Sequence, residues 1–165
     1  MTRPTQLGTR ALVVFAEGEP GAARREVAVL WVQYDGYPAG LGRRLVSCLK
    51  GKVVADGDTD AAARVSGVGD LAAQVIAYLK GLDAVDYERV GTRWEAVQVP
   101  VNRAGGHHLY ASGARDLGEE YVYTLVCPPR TSSERGEGRL WLEVVSAAEG
   151  ALFSGWLDDY APVNP

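Results

Sequence analysis

The chain is short of the residues that most often announce chemistry. Its 165 residues include two cysteines, two histidines and one methionine. Cys48 and Cys127 stand alone, without the Cys-x-x-Cys spacing of a zinc knuckle or redox pair. Both fall on the apolar side of their segments, where a free cysteine behaves as a small buried hydrophobe. His107 and His108 are adjacent, so in a strand they point to opposite faces and cannot share a ligand. Neither His-x-His nor His-Glu-x-x-His spacing occurs, and no serine sits in a nucleophile-elbow context. No run reaches the ~18 apolar residues of a membrane span, and MTRPTQLGTR lacks the apolar centre of a secretory signal. A basic excess is missing too: the net charge of −4 argues against a general nucleic-acid binder. These absences predict a cytoplasmic protein with no membrane segment, no metal centre and no cofactor motif.

What is present suits one domain. A chain of this length buries about 70% of the surface its unfolded form exposes, enough for a core without staples. We place a flexible N-terminus at 1–7, the domain at 8–157 and an acidic, proline-limited tail at 158–165. The organising stretch is Val27 to Lys52. An apolar run to Tyr34 stops at Asp35-Gly36-Tyr37-Pro38, and from Leu41 the period turns helical, with Leu41, Leu45, Cys48 and Leu49 on one face. Before it, Ala11 to Ala16 reads as a strand that pairs with Val27 to Tyr34 as a hairpin. Both strands are apolar on both faces, which predicts central positions covered from each side.

Asp56 to Arg64 reads as a loop. Asp70, after Gly67-Val68-Gly69, is the expected N-cap of a helix with Leu71, Val75, Ile76 and Leu79 on its apolar face and Lys80-Gly81 at its end. From Leu82 to Gly106 the signal is weak, with Trp94 to Val101 a loose alternation interrupted by Pro100. Strands follow at Leu109–Ala111, Glu120–Cys127, Leu140–Val145 and Ala151–Trp156, with a charged turn at 131–138. In the second of these, Tyr121, Tyr123, Leu125 and Cys127 share one face. Helices gathered in the first half among strands predict an α+β domain: a mainly antiparallel sheet with about two helices on one face.

Two constellations carry chemistry. The corner Asp35-Gly36-Tyr37-Pro38-Ala39-Gly40 brings bare backbone amides to the start of a helix, a combination that can hold a phosphate or carboxylate, although neither P-loop nor dinucleotide-loop spacing is present. Asp35 otherwise only caps the turn. The second is Arg115-Asp116-Leu117-Gly118-Glu119-Glu120, where an arginine can grip an anion in bidentate fashion or the carboxylates can gather a divalent cation. Its plainer reading is an exposed charged turn. Arg10 adds a guanidinium, and Tyr34, Tyr37, Trp31 and Trp94 add aromatic surface.

Gly8-Thr9-Arg10, Gln33-Tyr34-Asp35-Gly36-Tyr37-Pro38 with Gly40, Gly69 to Gln74, and Arg115 to Tyr121 occur in that order. In this the chain resembles a family of small uncharacterised proteins of bacteriophages and bacterial genomes, with GTR, QYDGYPxG-like and RDxGEEY-like motifs. The resemblance spans residues 8 to about 145, departs from the pattern at Ala114, and implies a phage origin and a host cytoplasm but no catalytic role.

The first expectation is therefore a binding protein for an anionic, nucleotide-derived ligand, in phage context one that sequesters a host defence signal. Its ligand-binding residues would be Arg10, Asp35, Gly36, Tyr37, Gly40, Arg115, Asp116, Glu119 and Glu120. The alternatives are a module that binds a host protein or a second copy of itself, and a hydrolase holding Mg²⁺ or Mn²⁺ on Asp35, Asp116, Glu119 and Glu120. All but the interaction reading require the corner and the acidic entrance to meet at one hollow.

Overall fold

A computed structural model describes residues 8–55, 64–101, 105–129 and 138–162. The stretch 1–7, most of the expected 56–64 loop and 131–138 turn, and the last three residues lie outside the described residues.

The protein is an α+β domain whose main sheet has six strands. Strand β1 (Ala11–Gly18) pairs antiparallel with β2 (Arg24–Val32), as the hairpin reading expects. Two helices follow, α1 (Arg43–Leu49) and α2 (Val68–Leu82), and between them the two-residue strands β3 (Val53–Val54) and β4 (Arg64–Val65) pair in parallel. The weakly patterned stretch after α2 is a second hairpin, β5 (Val85–Val90) with β6 (Arg93–Gln98), which forms its own two-stranded sheet. Then come β7 (His107–Ala111), β8 (Tyr121–Cys127), β9 (Trp141–Ser146) and β10 (Gly150–Trp156). The order across the main sheet is β10-β9-β8-β1-β2-β7. All its pairings are antiparallel except β1 with β8, which run parallel.

The two faces of this sheet differ. On one, Ala11, Val13, Phe15, Leu30, Tyr123, Leu125, Leu142 and Val144 pack against Leu41, Leu45 and Leu49 of the first helical segment and Val68, Leu71, Val75 and Leu79 of α2. The α2 residues recur at spacings of three and four, so they form one stripe, and burying each such side chain contributes ~1.5–3 kcal/mol. On the other face Leu12, Val14 and Val29 are as deeply buried, and the described hydrophobic side chains packed over them are Trp31, Ala114, Leu117 and Val122. The expected cover on each side is thus two helices on one face and a loop, residues 112–120, on the other.

Three local expectations change. Asp70 is not the N-cap of α2: Gly67 is, and Asp70 lies in the first turn, where its carboxylate accepts from Ser66 N and Gln74 Nε2, both at 2.8 Å. The segment entering α1 is a π-type turn, Pro38–Gly42, before regular helix begins. The core does not end at residue 157, because Tyr160 is buried, stacks on Phe153 at 4.8 Å and covers Gly42. Among the described residues no helix is long and apolar enough to cross a membrane.

Candidate functional site

The corner after β2 is built by close approach. Gly36 N–H donates to Thr9 O at 2.8 Å, and a Cβ on Gly36 would stand 2.7 Å from the Ala11 methyl. A Cβ on Gly40 would stand 2.4 Å from Asp35 O, with the Tyr37 ring alongside. Asp35 itself has φ 56°, a left-handed conformation that aspartate tolerates better than most residues. The amides offered to an anion are occupied from within: Gly40 N–H donates to Tyr37 O at 2.9 Å and Leu41 N–H to Asp35 O at 2.7 Å. The glycines of this corner therefore serve packing.

The Asp35 carboxylate leads inward along a row of alternating charges. Arg44 Nη2 stands 3.5 Å from Asp35 Oδ2, and Arg44 Nη1 donates to Asp83 Oδ1 at 2.8 Å. His107 Nε2 stands 3.0 Å from Asp83 Oδ2, although neither ring nitrogen makes a well-aligned hydrogen bond. Burial works to raise the Asp83 carboxyl, but His107 and Arg44 outweigh it and hold the group below its ordinary range. This row ties the corner, α1, the end of α2 and β7 together on the helical face.

The second constellation lies across the sheet. Arg115 points away from Asp116: its guanidinium clasps the carboxylate of Glu26, which also accepts from Gly113 N–H at 2.8 Å. Burial opposes ionisation of Glu26, yet Arg115, Gly113 and Arg24 keep its carboxyl below the ordinary value. Glu119 is likewise committed, its two oxygens accepting from Asp116 N–H at 3.1 Å and Leu117 N–H at 2.7 Å. These bonds fold the loop onto Leu12, Val14 and Val29, and Asp116 takes a left-handed φ of 60° in the process.

What the loop leaves is a shallow hollow of ≈430 Å³ lined by Asp116, Gly118, Glu119, Glu120, Val122, Val145 and Ala147. Its floor is the directly opposed pair Val122 and Val145, its wall the loop. Asp116 and Glu120 are exposed and have no ion-pair partner among the described residues. The exposed Arg10 lies beside it, with Nη1 3.0 Å from where a Cβ on Gly118 would be.

The structure therefore brings Asp116, Glu119 and Glu120 together, with Arg10 at their margin, and sets Asp35, Gly36, Tyr37 and Gly40 apart on the helical side. The expectation of one shared hollow is not met. The Thr9–Arg10 backbone touches both places, accepting from Gly36 N–H on one side and from Glu120 N–H, at 2.8 Å, on the other. Among the described residues no three His, Cys, Asp or Glu side chains are placed to share a metal ion, and Asp35 does not line the hollow with Asp116, Glu119 and Glu120. Residues that the sequence did not single out, Glu26, Arg44, Asp83 and Val145, shape both places. Glu26 belongs to the charged opening of β2, Arg24-Arg25-Glu26, which gave no sequence signal for its role.

No family model, no curated protein and no solved structure matches the chain.

Proposed function

We propose that the chain is a recognition module whose hollow takes a cationic group on an apolar stem, such as a lysine or arginine side chain of a protein partner. The observation that carries this reading is the pairing of an apolar floor, Val122 and Val145, with the unpaired carboxylates Asp116 and Glu120 at its edge. An ammonium or guanidinium head would neutralise the carboxylates while its methylenes cover the valines, the usual division of labour in a long basic side chain. Three carboxylates against the single guanidinium of Arg10 disfavour an anion at this spot.

The competing proposal is the anionic, nucleotide-derived ligand, a host defence signal if the protein is a phage product. The exposed guanidinium of Arg10, which has no ion-pair partner among the described residues, is what speaks for it. Calorimetric titration with lysine- and arginine-containing peptides in parallel with cyclic dinucleotides and ADP-ribose separates the two. The cationic reading expects heat only with the basic peptides, lost in Asp116→Asn and Glu120→Gln and weakened by salt. Heat only with the anions, lost in Arg10→Ala, would replace it by the competing proposal.

A further inference from the structure

The main sheet ends at β7 on one side and β10 on the other. The two edges are finished differently. Strand β10 carries an irregularity between Ala151 and Phe153, which blunts an edge against further pairing. Strand β7, His-His-Leu-Tyr-Ala, pairs with β2 in unbroken register, from Val32 opposite His107 to Ala28 opposite Ala111. It has none of the usual protections: no bulge, proline, lysine or glutamate. Leu109 is 62% exposed and Tyr110 40%.

Hydrogen-bond parity tells which groups of β7 are free. Gln33 N–H donates to Gly106 O at 2.9 Å, and in an antiparallel ladder hydrogen-bonded pairs alternate with non-bonded ones. Carried along the register, this directs the backbone groups of Gly106, His108 and Tyr110 toward β2. Those of His107, Leu109 and Ala111 face outward; the Ala111 carbonyl already accepts from Ala114 N–H at 3.4 Å and keeps its second lone pair for a partner strand. Antiparallel pairing of two such edges about Leu109 satisfies all of them: Leu109 bonds Leu109 of the second copy, and His107 bonds Ala111 in both directions.

We propose that β7 is a self-pairing edge, through which two copies of the chain join their sheets about a two-fold axis at Leu109. Three features select a second copy over another partner. The odd-numbered outward set is symmetric about its central member, which is what an isologous contact demands. The whole stretch Gly105 to Gly113 carries no carboxylate, lysine or arginine, so self-pairing opposes no like charges, whereas a charged peptide would find no counter-charge. The non-bonded pair of the new ladder sets Tyr110 of each copy opposite His108 of the other, where side chains approach most closely. His108 already meets Trp31 edge-on at 5.2 Å, so each half gains a row of three rings on the open face. A five-residue edge is small beside standard interfaces, so the dimer dissociates on dilution.

The test is sedimentation of the full chain between about 10 μM and about 1 mM, a range that brackets weak association, with amide hydrogen exchange on the same samples. The expected result is a mass rising toward twice the monomer value. Protection should grow with concentration at Leu109 and Ala111, while His108 and Tyr110, bonded to β2, change little. Leu109→Lys, at an exposed position outside the core, should abolish the mass shift and the added protection without altering the melting temperature. A monomer throughout the range overturns the proposal. So does a dimer whose outward amides gain no protection, or one that Leu109→Lys leaves intact.

Discussion

Tyr123, wholly buried on β8, donates a hydrogen bond from its hydroxyl to the carbonyl of Gly36 at 2.8 Å. One phenol thus fastens the corner after β2 to a strand on the other side of β1. Burial pushes the phenol well above its ordinary range, which favours the protonated form that donates this bond.

Tyr123→Phe keeps the ring and strands the Gly36 carbonyl. We expect a loss of about 1–2 kcal/mol, the cost of an unsatisfied buried acceptor, read as a lower urea midpoint with an unchanged slope. An unchanged midpoint would mean that water reaches the carbonyl.

Gly36→Ala places a methyl 2.8 Å from Thr9 O and 2.7 Å from the Ala11 methyl. Neither neighbour is the end of a flexible side chain, so the corner must shift, at about 1–3 kcal/mol. Gly51→Ala is the contrast. Nothing lies within 4 Å there, so its cost is limited to the left-handed backbone, about 1 kcal/mol. Thermal melts of the pair separate crowding from backbone strain.

Asp83 supplies an acid-dependent part of the stability. Its folded carboxyl lies below the ordinary value, so the contribution is complete above the unfolded value, about 3.9. It disappears as pH falls through the lower folded value. Asp83→Asn should therefore lose stability at pH 7, while the gap to the wild type narrows below pH 4 as the native carboxylate is itself protonated. Urea titrations at pH 7, 4 and 2.5 check the sign, and a gap that widened toward acid would refute the assignment.

Glu26→Gln releases both Arg115 and Gly113 from one anchor. Residues 112–118 should then exchange their amide hydrogens faster, by about 5-fold for ~1 kcal/mol of lost local stability, with the amides of α2 unaffected. Because the same loop walls the hollow, basic-peptide binding should weaken in this variant although Glu26 does not line it.

Local periodicity was enough to reveal β1, β2, β8 and the apolar stripe of α2, because alternation and three-to-four spacing are properties of neighbouring residues. It placed His107 and His108 on opposite faces, while turn and charge clustering marked Asp35 and Asp116, which prove to be the two non-glycine residues with positive φ among those described. It did not show that β5 and β6 pair only with each other, since a polar hairpin with weak alternation lacks an apolar face to report where it packs. Nor did it show that β1 and β8 run parallel, or that the corner and the acidic loop occupy opposite sides of the sheet. Which strand lies beside which is settled by contacts over more than a hundred residues, such as Ala11 with Tyr121. The partners of each charge are settled with them: Arg44 and Asp83 meet only because α1 and the end of α2 pack on the same face, and Arg115 turns to Glu26 only because the loop folds over the other.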